Sequence, residues 1–400
     1  MKVLLISFEF GEHVVGGLGR VINGVTGELR HRLEQLDVFL LQYSVLKLGR
    51  VGKLFRCDRA HPGRLVQTFL LGSAEEQCAE LMAREGYDVV HLLCVNGSTG
   101  KLLTAMAQHA PTQPVVYSVH NLVKHEAGTR KNPAKFLAYE RRILERASLV
   151  HVLNHTTHGF VTRAYPELSA SKPLRIVGNG IQRESFARVD DAFRARLAKR
   201  LSPRTRTVIC SSRWAHGKGL EHFVGAAERL LAAGHDLQFV LTGRKLLSWE
   251  KEWYSYVWQI TRRARRLRAR LLVLGWLNEA QRNALYQLAD VCVMPSDLEY
   301  YPYSVLEPAA AGVPLICADL PCVTELLRDG EDCFLFRSGD AAALSASIER
   351  WARQPELGRT FAARAQAKVL ARGDWSHIAT EYLAMYREAG ARVVRSSEAA

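Results

Sequence analysis

The sequence predicts an α/β protein of two doubly wound domains, each with a parallel sheet covered by helices. Short runs rich in Val, Ile and Leu alternate with longer helical patterns along the 400-residue chain. The runs are apolar throughout, which is typical of strands buried on both faces of a parallel sheet. The alternation is interrupted once, and the chain is too long for one core of ordinary size.

The predicted strands form two series. Six strands make up the first series: 3–8, 37–42, 88–93, 114–120, 149–154 and 173–179. Five make up the second: 207–213, 237–244, 271–277, 290–296 and 314–320. The helices expected between strands include 18–33, 133–147, 218–233, 279–289 and 303–311.

The polar stretch 181–206 lacks a strand pattern and marks the domain boundary. We predict a first domain over 1–183 and a second over 184–373, followed by an amphipathic helix. Ligands bind outside the carboxyl ends of the strands in such sheets, so the expected site is a cleft that the two domains face.

Composition limits the function classes. The formal net charge of +14 favours anionic partners, although a merely solvated basic surface explains it equally well. Eight cysteines without a C-x-x-C pair indicate reduced thiols, and hence a cytoplasmic protein. No apolar run approaches the roughly 20 residues that span a bilayer.

A glycine-rich segment, GGLGR, follows the first strand and opens a helix, with Gly16 and Gly17 at its start. Glycines let a backbone approach a ligand closely, and a helix N-terminus favours a phosphate. The spacing departs from a dinucleotide fingerprint, so a simple tight turn is an equal alternative.

Two cations lie at the end of the first strand of the second series and shortly after it. Arg213 and Lys218 lie five positions apart, and glycines flank the lysine. Arginine offers a planar fork and lysine a point charge, a combination that suits a diphosphate. The alternative is a pair of solvated surface cations.

Two glutamates lie eight positions apart in the segment 295–316. Glu299 ends a loop, and Glu307 lies inside the next helix. A carboxylate only accepts hydrogen bonds, so it suits sugar hydroxyls, and the helix start near Ser304 suits an anion. The alternative for Glu307 is a favourable interaction with its helix dipole.

These elements, in this order, resemble the retaining glycosyltransferases that include glycogen synthases, sucrose synthases and phosphatidylinositol mannosyltransferases. The family's Glu–seven residues–Glu motif appears as PSDLEYYPYSVLEPAAAGVP, with Tyr300 where Gly is usual and Pro308 where Ala is usual. Its Arg–four residues–Lys pair falls on Arg213 and Lys218. In the N-terminal half, VVYSVHNLVKHEAG around His120 and IVGNGIQRESF also resemble the family.

The resemblance covers nearly the whole chain and implies the GT-B fold, two Rossmann-like domains with a C-terminal helix, 374–395, that crosses back to the first. It implies metal-independent transfer of a hexose from a nucleotide-diphosphate sugar, with a UDP-sugar the expected donor, to a hydroxyl acceptor. A polysaccharide, a lipid and a small natural product all stay open as that acceptor. No resident cofactor is expected. The implied catalytic residues are His120, Arg213, Lys218 and Glu299. The implied donor-binding residues are Gly16, Gly17, Gly243, Gly275, Trp276, Tyr303, Ser304, Val305 and Glu307.

The segment 249–270 carries aromatic and basic residues at helical spacing. Trp249, Trp253, Tyr256, Val257, Ile260, Ala264 and Leu267 would share one face. Core packing with a solvated basic face is the favoured interpretation, and contact with an anionic membrane is the alternative.

Two other functions stay open. A sugar-nucleotide 2-epimerase shares the fold, but the two-glutamate motif argues against it. A nucleic-acid-binding protein would explain the basic charge and the run RRARRLRAR, but no module for nucleic-acid recognition supports it, so nucleic acid is not an expected partner.

Overall fold

The computed structural model describes residues 1–11, 16–43, 50–69, 74–93, 99–126, 133–244 and 251–398. The chain divides into two compact units by its contacts. Unit 1 comprises Met1–Gly180 with Trp375–Ala400, and unit 2 comprises Ile181–Asp374. Among the described residues, none of the helices has the length and apolar character that crossing a bilayer requires.

Unit 1 has an eight-stranded sheet of order β4-β3-β2-β1-β5-β6-β7-β8. Its strands are β1 (Lys2–Ser7), β2 (Gln35–Tyr43), β3 (Arg50–Cys57), β4 (Arg64–Phe69), β5 (Val89–Leu92), β6 (Val115–Val119), β7 (Leu149–Val152) and β8 (Leu174–Ile176). Its helices are α1 (Gly17–Leu29), α2 (Ala74–Glu85), α3 (Thr99–His109), α4 (Pro133–Arg146), α5 (His155–Ala164), α6 (Pro166–Ser171) and, at the C-terminus, α15 (Trp375–Glu398).

Unit 2 has a six-stranded parallel sheet of order β11-β10-β9-β12-β13-β14. Its strands are β9 (Arg206–Ser211), β10 (Leu237–Thr242), β11 (Leu271–Val273), β12 (Val291–Met294), β13 (Leu315–Ala318) and β14 (Phe334–Phe336). Its helices are α7 (Asp191–Ala198), α8 (Leu220–Ala232), α9 (Lys251–Arg266), α10 (Glu279–Gln287), α11 (Tyr303–Ala310), α12 (Pro321–Thr324), α13 (Ala341–Arg353) and α14 (Pro355–Ala371), preceded by a 3₁₀ turn at Arg183–Ala187.

The predicted fold class is confirmed, and all eleven predicted strands are present. Most are shorter than predicted, whereas β2 extends beyond its predicted range at both ends. Three strands were not predicted. β3 and β4 form an antiparallel extension beside β2, and five of the six β4 residues are exposed, so this strand lacks the apolar run that reveals a buried strand. β14 lies in the four-residue apolar run CFLF, which is shorter than the seven-residue stretches that predicted the equally short β8 and β11.

The C-terminal helix α15 packs on α1 within unit 1. The indole of Trp375 lies so close to Gly24 that a Cβ there would be 2.1 Å from the ring. Arg32, three residues after α1, donates to the hydroxyls of Ser376 and Thr380, at 2.6 and 2.8 Å. The glycine therefore admits the tryptophan, and polar contacts fix the helix alongside it.

A chain of buried hydrogen bonds links α15 to the sheet of unit 1. His151 Nε2 lies 2.8 Å from the carbonyl of Val177 and must donate to it, which leaves Nδ1 to accept from Ser118 Oγ at 2.5 Å. Ser118 then accepts from His91 Nε2 at 2.6 Å, and His91 Nδ1 accepts from the Tyr386 hydroxyl at 2.8 Å. Every bond points the same way, which requires both imidazoles to be neutral.

Unit 1 is expected to lose stability in mild acid. Burial lowers the pKa of His151 from 6.5 to about 4 and depresses the pKa of His91 as well. Below about pH 6.5 the unfolded chain therefore binds more protons than the folded one, so the free energy of unfolding falls as pH drops from there toward about 4. Each such histidine contributes up to ~1.4 kcal/mol per pH unit. Urea unfolding at about pH 7.5 and about pH 5.5 checks this, and His151→Gln should flatten the slope. An unchanged slope in that variant would contradict the assignment.

Candidate active site

In unit 2, the carboxyl ends of β9 and β12 lie side by side where the strand order reverses. β9 pairs with β10 on one side and with β12 on the other, all in parallel. Ligands of open α/β sheets bind at such a switch point. The loop after β9 carries Arg213 and Lys218, and the loop after β12 carries Glu299, so the topology places these predicted residues on adjacent loops.

Lys218 and Glu299 form an ion pair. Lys218 Nζ donates to Glu299 Oε1 at 2.7 Å, and the Ser296 hydroxyl donates to the same oxygen at 2.8 Å. The two charged side chains are only 17% and 12% exposed. A partly buried ammonium and carboxylate thus lie next to each other, where a ligand phosphate could compete with the carboxylate for the cation.

Two glycines shape the backbone around Lys218. Gly217 and Gly219 adopt left-handed conformations, with φ of +76° and +62°. A Cβ on Gly219 would lie 1.7 Å from the carbonyl oxygen of Pro295, whereas Gly217 has nothing within 4 Å. The Gly217 carbonyl also accepts from the N–H of Asp297 at 3.0 Å. Only glycine at 219 lets the lysine loop approach the loop after β12 this closely.

The two glycines offer a matched test. Gly217→Ala should cost about 1 kcal/mol for the left-handed conformation alone. Gly219→Ala should cost more, because its Cβ meets backbone, and it should also displace Lys218 from Glu299. Urea unfolding measures the first effect and donor binding the second. Equal losses of stability in both variants would refute the close approach.

Glu307 is held by two residues of α10. Arg282 Nε lies 2.9 Å from Glu307 Oε2, and its terminal nitrogen donates to Oε1 at 3.2 Å. The Tyr286 hydroxyl donates to Oε2 at 3.3 Å. Burial is the largest single influence and disfavours the Arg282 cation, but the charges of Glu307, Tyr286 and Glu279 and the hydrogen bond to Glu307 together raise the pKa of Arg282. Neither Arg282 nor Tyr286 was among the predicted site residues.

Glu307 lies in α11, which begins at Tyr303, next to Ser304, where the sequence predicted a helix start suited to an anion. Tyr303 and Ser304 are the first residues of α11 and are partly buried, and Val305 is fully buried. Pro302 is its N-cap and offers no side-chain cap. Pro308 lies inside this short helix and has no N–H for the Ser304 carbonyl. Tyr300, where the resembled family has Gly, is 7% exposed.

Gly243 and Gly275, which belong to the predicted donor-binding set, lie together. The N–H of Gly243 donates to the carbonyl of Gly275 at 3.3 Å, and the Thr242 hydroxyl donates to the same carbonyl at 2.7 Å. A Cβ on Gly243 would lie 1.7 Å from the Ser212 carbonyl oxygen. Trp276 follows with 56% of its surface exposed. This group adjoins β9 through Ser212.

Arg213 is exposed and forms no ion pair with any residue that the structure describes. Its guanidinium is therefore available to an anion. Close by in sequence, Glu221, His222 and Asp297 place their ligand atoms within 4.8 Å of one another. His222 Nε2 lies 3.1 Å from Asp297 Oδ1, and this hydrogen bond raises the pKa of His222. Such a cluster could hold a cation, although its members already have partners: His222 pairs with Asp297, and Glu221 accepts from the Tyr256 hydroxyl.

In unit 1, the glycines at the start of α1 already bind a carboxylate. Glu9 Oε2 accepts from the N–H groups of Gly16 and Gly19, at 2.8 and 2.9 Å. The start of α1 therefore binds an anion, as predicted for a helix N-terminus, but the anion is the side chain of Glu9. A phosphate could use the N–H of Gly16 only by displacing Glu9, while Gly17 is the first residue of the helix.

His120 directly follows β6, and its Nε2 is buried without a hydrogen-bond partner among the residues described. Burial, reinforced by His151, lowers the pKa of His120 from 6.5 to about 3. The imidazole is therefore neutral near pH 7. A buried polar atom without a partner is costly, and a ligand hydroxyl would satisfy it.

Comparisons with known proteins agree with this architecture. Residues 193–368 match glycosyl transferases group 1, and residues 15–185 match glycosyltransferase family 4. An uncharacterized glycosyltransferase of Methanocaldococcus jannaschii is 20% identical over 97% of this chain and 98% of its own. A phosphatidyl-myo-inositol mannosyltransferase of Mycobacterium leprae is 29% identical over 42% of each chain.

Solved structures show the same fold. Sucrose-phosphate synthase from Thermosynechococcus elongatus superposes with a TM-score of 0.78 at 19% identity, covering 97% of this chain and 99% of that one. Anabaena HepE, solved with UDP and glucose, gives 0.74 at 18% identity, covering 96% and 99%. The two family matches together span both units, and the chain is a glycosyltransferase of the GT-B fold whose second unit matches the group 1 family.

Proposed function

We propose that this enzyme is a retaining glycosyltransferase that moves a hexose from a UDP-sugar to a hydroxyl acceptor without a metal ion. The observation that carries the proposal is the Lys218–Glu299 pair at the switch point of unit 2. Glu307 follows Glu299 by eight positions, and its carboxylate is held by Arg282. This arrangement combines a cation for a phosphate with carboxylates for hydroxyl groups.

The cations would act on the leaving group. As the bond between the sugar and the diphosphate breaks, negative charge grows on the β-phosphate. Lys218 is already oriented by Glu299, and exposed Arg213 lies on the same loop, so both could stabilise that charge with little rearrangement. The N–H groups at the start of α11, at the partly buried Tyr303 and Ser304, would add to this stabilisation.

The carboxylates would bind the hydroxyl groups of the donor. Glu307 would accept from the ribose, since Arg282 and Tyr286 hold its oxygens in place. Glu299 would accept from hydroxyls of the transferred sugar once a phosphate takes over part of its contact with Lys218. The unpartnered Nε2 of His120 is the group in unit 1 that we assign to a sugar hydroxyl.

A UDP-sugar is the proposed donor because structures with this fold include one solved with UDP-glucose. Retention requires the acceptor to attack from the face that the diphosphate leaves, and a phosphate oxygen could take the acceptor proton. No resident cofactor enters this scheme. We place the enzyme in the cytoplasm, where its cysteines, buried and unpaired among the described residues, would stay reduced.

Nucleotide release from a panel of sugar nucleotides, with and without hydroxyl acceptors and in excess EDTA, tests the proposal. We expect acceptor-stimulated release from one UDP-sugar that EDTA leaves unchanged. If EDTA abolishes activity and Mg²⁺ or Mn²⁺ restores it, metal independence is contradicted. If His222→Ala also removes the metal-restored activity, the required cation is assigned to the Glu221–His222–Asp297 cluster. Formation of a 2-epimer without transfer would contradict the transferase.

A further inference from the structure

One face of α9 is fixed to the core of unit 2. Tyr256, Ile260 and Ala264 lie along this face and are at most 7% exposed. The Tyr256 hydroxyl donates to Glu221 Oε2 at 2.6 Å, and Arg263 pairs with Glu228 at 2.7 Å. These contacts confirm core packing for the predicted apolar face where its side chains are described. Trp249 lies outside the described residues, as does the side chain of Trp253.

The opposite face of α9 carries exposed aromatic rings. Tyr254 is 47% exposed and Trp258 is 60% exposed. They lie four positions apart, and Arg262 lies four further on, so the three share one side of the helix. The Arg262 guanidinium stacks over the Trp258 ring, 5.2 Å from its centroid. A large exposed indole beside an arginine is a feature that core packing leaves unexplained.

Arginines without acidic partners extend this face. Arg262, Arg265, Arg266 and Arg268 are exposed, and none pairs with a carboxylate of the described residues. Two neighbouring arginines, Arg263 and Arg270, do have such partners, Glu228 and Asp236. The sequence from Tyr254 to Arg270 contains no Asp or Glu. The positive charge of this face is therefore uncompensated locally.

We infer that this aromatic–arginine face, formed by Tyr254, Trp258, Arg262, Arg265, Arg266 and Arg268, docks on an anionic lipid surface. Exposed tryptophan and tyrosine rings settle at the boundary between headgroups and acyl chains, and arginines reach the lipid phosphates. A helix of 16 residues is about 24 Å long, so it can lie along a flat surface. A protein that binds single-stranded nucleic acid follows its backbone with a basic groove. Here Tyr254, Trp258, Arg262, Arg265 and Arg266 project from one side of α9, and Arg268 lies in the turn that follows it.

The docking does not depend on the proposed function, and its test uses neither donor nor acceptor. Full-length protein is sedimented with vesicles of phosphatidylcholine alone or of phosphatidylcholine with phosphatidylglycerol, at low and high salt. We expect binding to the anionic vesicles only, weakened by salt. Each arginine near such a surface strengthens binding about fivefold, so Arg262→Gln with Arg266→Gln should weaken it about 25-fold.

Two further variants make the test specific. Lys199→Gln with Arg200→Gln removes the same charge from exposed positions at the end of α7, and it should weaken vesicle binding far less. Trp258→Phe should bind but lose the part of its tryptophan fluorescence that brominated lipids quench. All positions are exposed, so melting temperatures should match the wild type.

Three outcomes would overturn the inference. The first is that the protein does not bind anionic vesicles at low salt. The second is that the α7 control and the α9 variant lose vesicle binding equally. The third is that brominated lipid quenches the fluorescence of Trp258→Phe as much as that of the wild type. Binding of an oligonucleotide that depends on Arg262 and Arg266, without vesicle binding, would assign the face to nucleic acid instead.

Discussion

Lys218→Ala is expected to lower the rate of sugar transfer about 10²- to 10³-fold, the range that follows removal of one preorganised charge-stabilising donor. The ammonium is oriented by Glu299 at 2.7 Å and lies in a loop that two left-handed glycines shape. Because the charge on the leaving phosphate grows in the transition state, the loss should fall mainly on kcat.

The control for this prediction is Lys199→Ala, which removes one exposed lysine from the end of α7 in the same unit. It should leave kcat unchanged. Lys218→Arg keeps the charge on a bulkier, planar group and should recover only part of the rate. Steady-state kinetics with the identified donor measure all three variants. A Lys218→Ala enzyme with wild-type kcat would remove the lysine from the mechanism.

Arg282→Ala is expected to reduce the free energy of unfolding by about 3–5 kcal/mol, because it leaves the Glu307 carboxylate buried without its cation. The two side chains are 12% and 11% exposed, so solvent can replace little of the lost interaction. The same variant should raise the KM for the donor, since Glu307 would no longer be held for the ribose hydroxyls.

A second substitution separates these two effects. Arg282→Met with Glu307→Gln removes both charges and should recover most of the lost stability, but it should leave donor affinity low. Urea unfolding and donor titration of the single and double variants complete the test. An Arg282→Ala variant with the wild-type free energy of unfolding would show that the buried pair does not stabilise the fold. A wild-type KM for the donor in the double variant would show that Glu307 does not bind the donor.

The predictable parts of the fold were those with strong local signals. Strands such as β9 and β12 are continuous apolar runs buried on both faces, and their sequence alone reveals them. β4 instead exposes Leu65 and Val66 at 50% and 48%, so its side chains carry no burial pattern. Its position depends on pairing with β3, which is a tertiary effect that a short sequence window does not contain.

The site residues likewise divide into those with a local sequence signal and those that only tertiary contacts bring together. Lys218, Glu299 and Glu307 belong to motifs with fixed spacing, and the sequence predicted a role for each of them. Arg282 has no motif, because it lies in an ordinary amphipathic helix, and only the fold brings it to Glu307. The neighbouring Asn283 is likewise buried and donates to the carbonyls of Ser185 and Arg188, contacts that the sequence pattern of α10 does not reveal.

The ligand of the helix start of α1 was also not predictable from the sequence. The resemblance implied that Gly16 and Gly17 bind the donor, with a simple tight turn as the equal alternative, and the structure shows the carboxylate of Glu9 accepting from Gly16 and Gly19. Glu9 precedes the glycine segment, and its spacing matches no capping motif. An electrostatic rule correctly predicted an anion at this helix start, yet it could not say which anion.

The most direct test of the central claim is the anomeric configuration of the first transfer product, followed by ¹H NMR. With an α-linked donor such as UDP-glucose and excess EDTA, we predict a product whose anomeric proton shows the small coupling of an α-linkage, formed by the wild type and nearly absent with Lys218→Ala. A product that appears first with the large coupling of a β-linkage, or that forms only when a divalent metal is restored, would contradict the account.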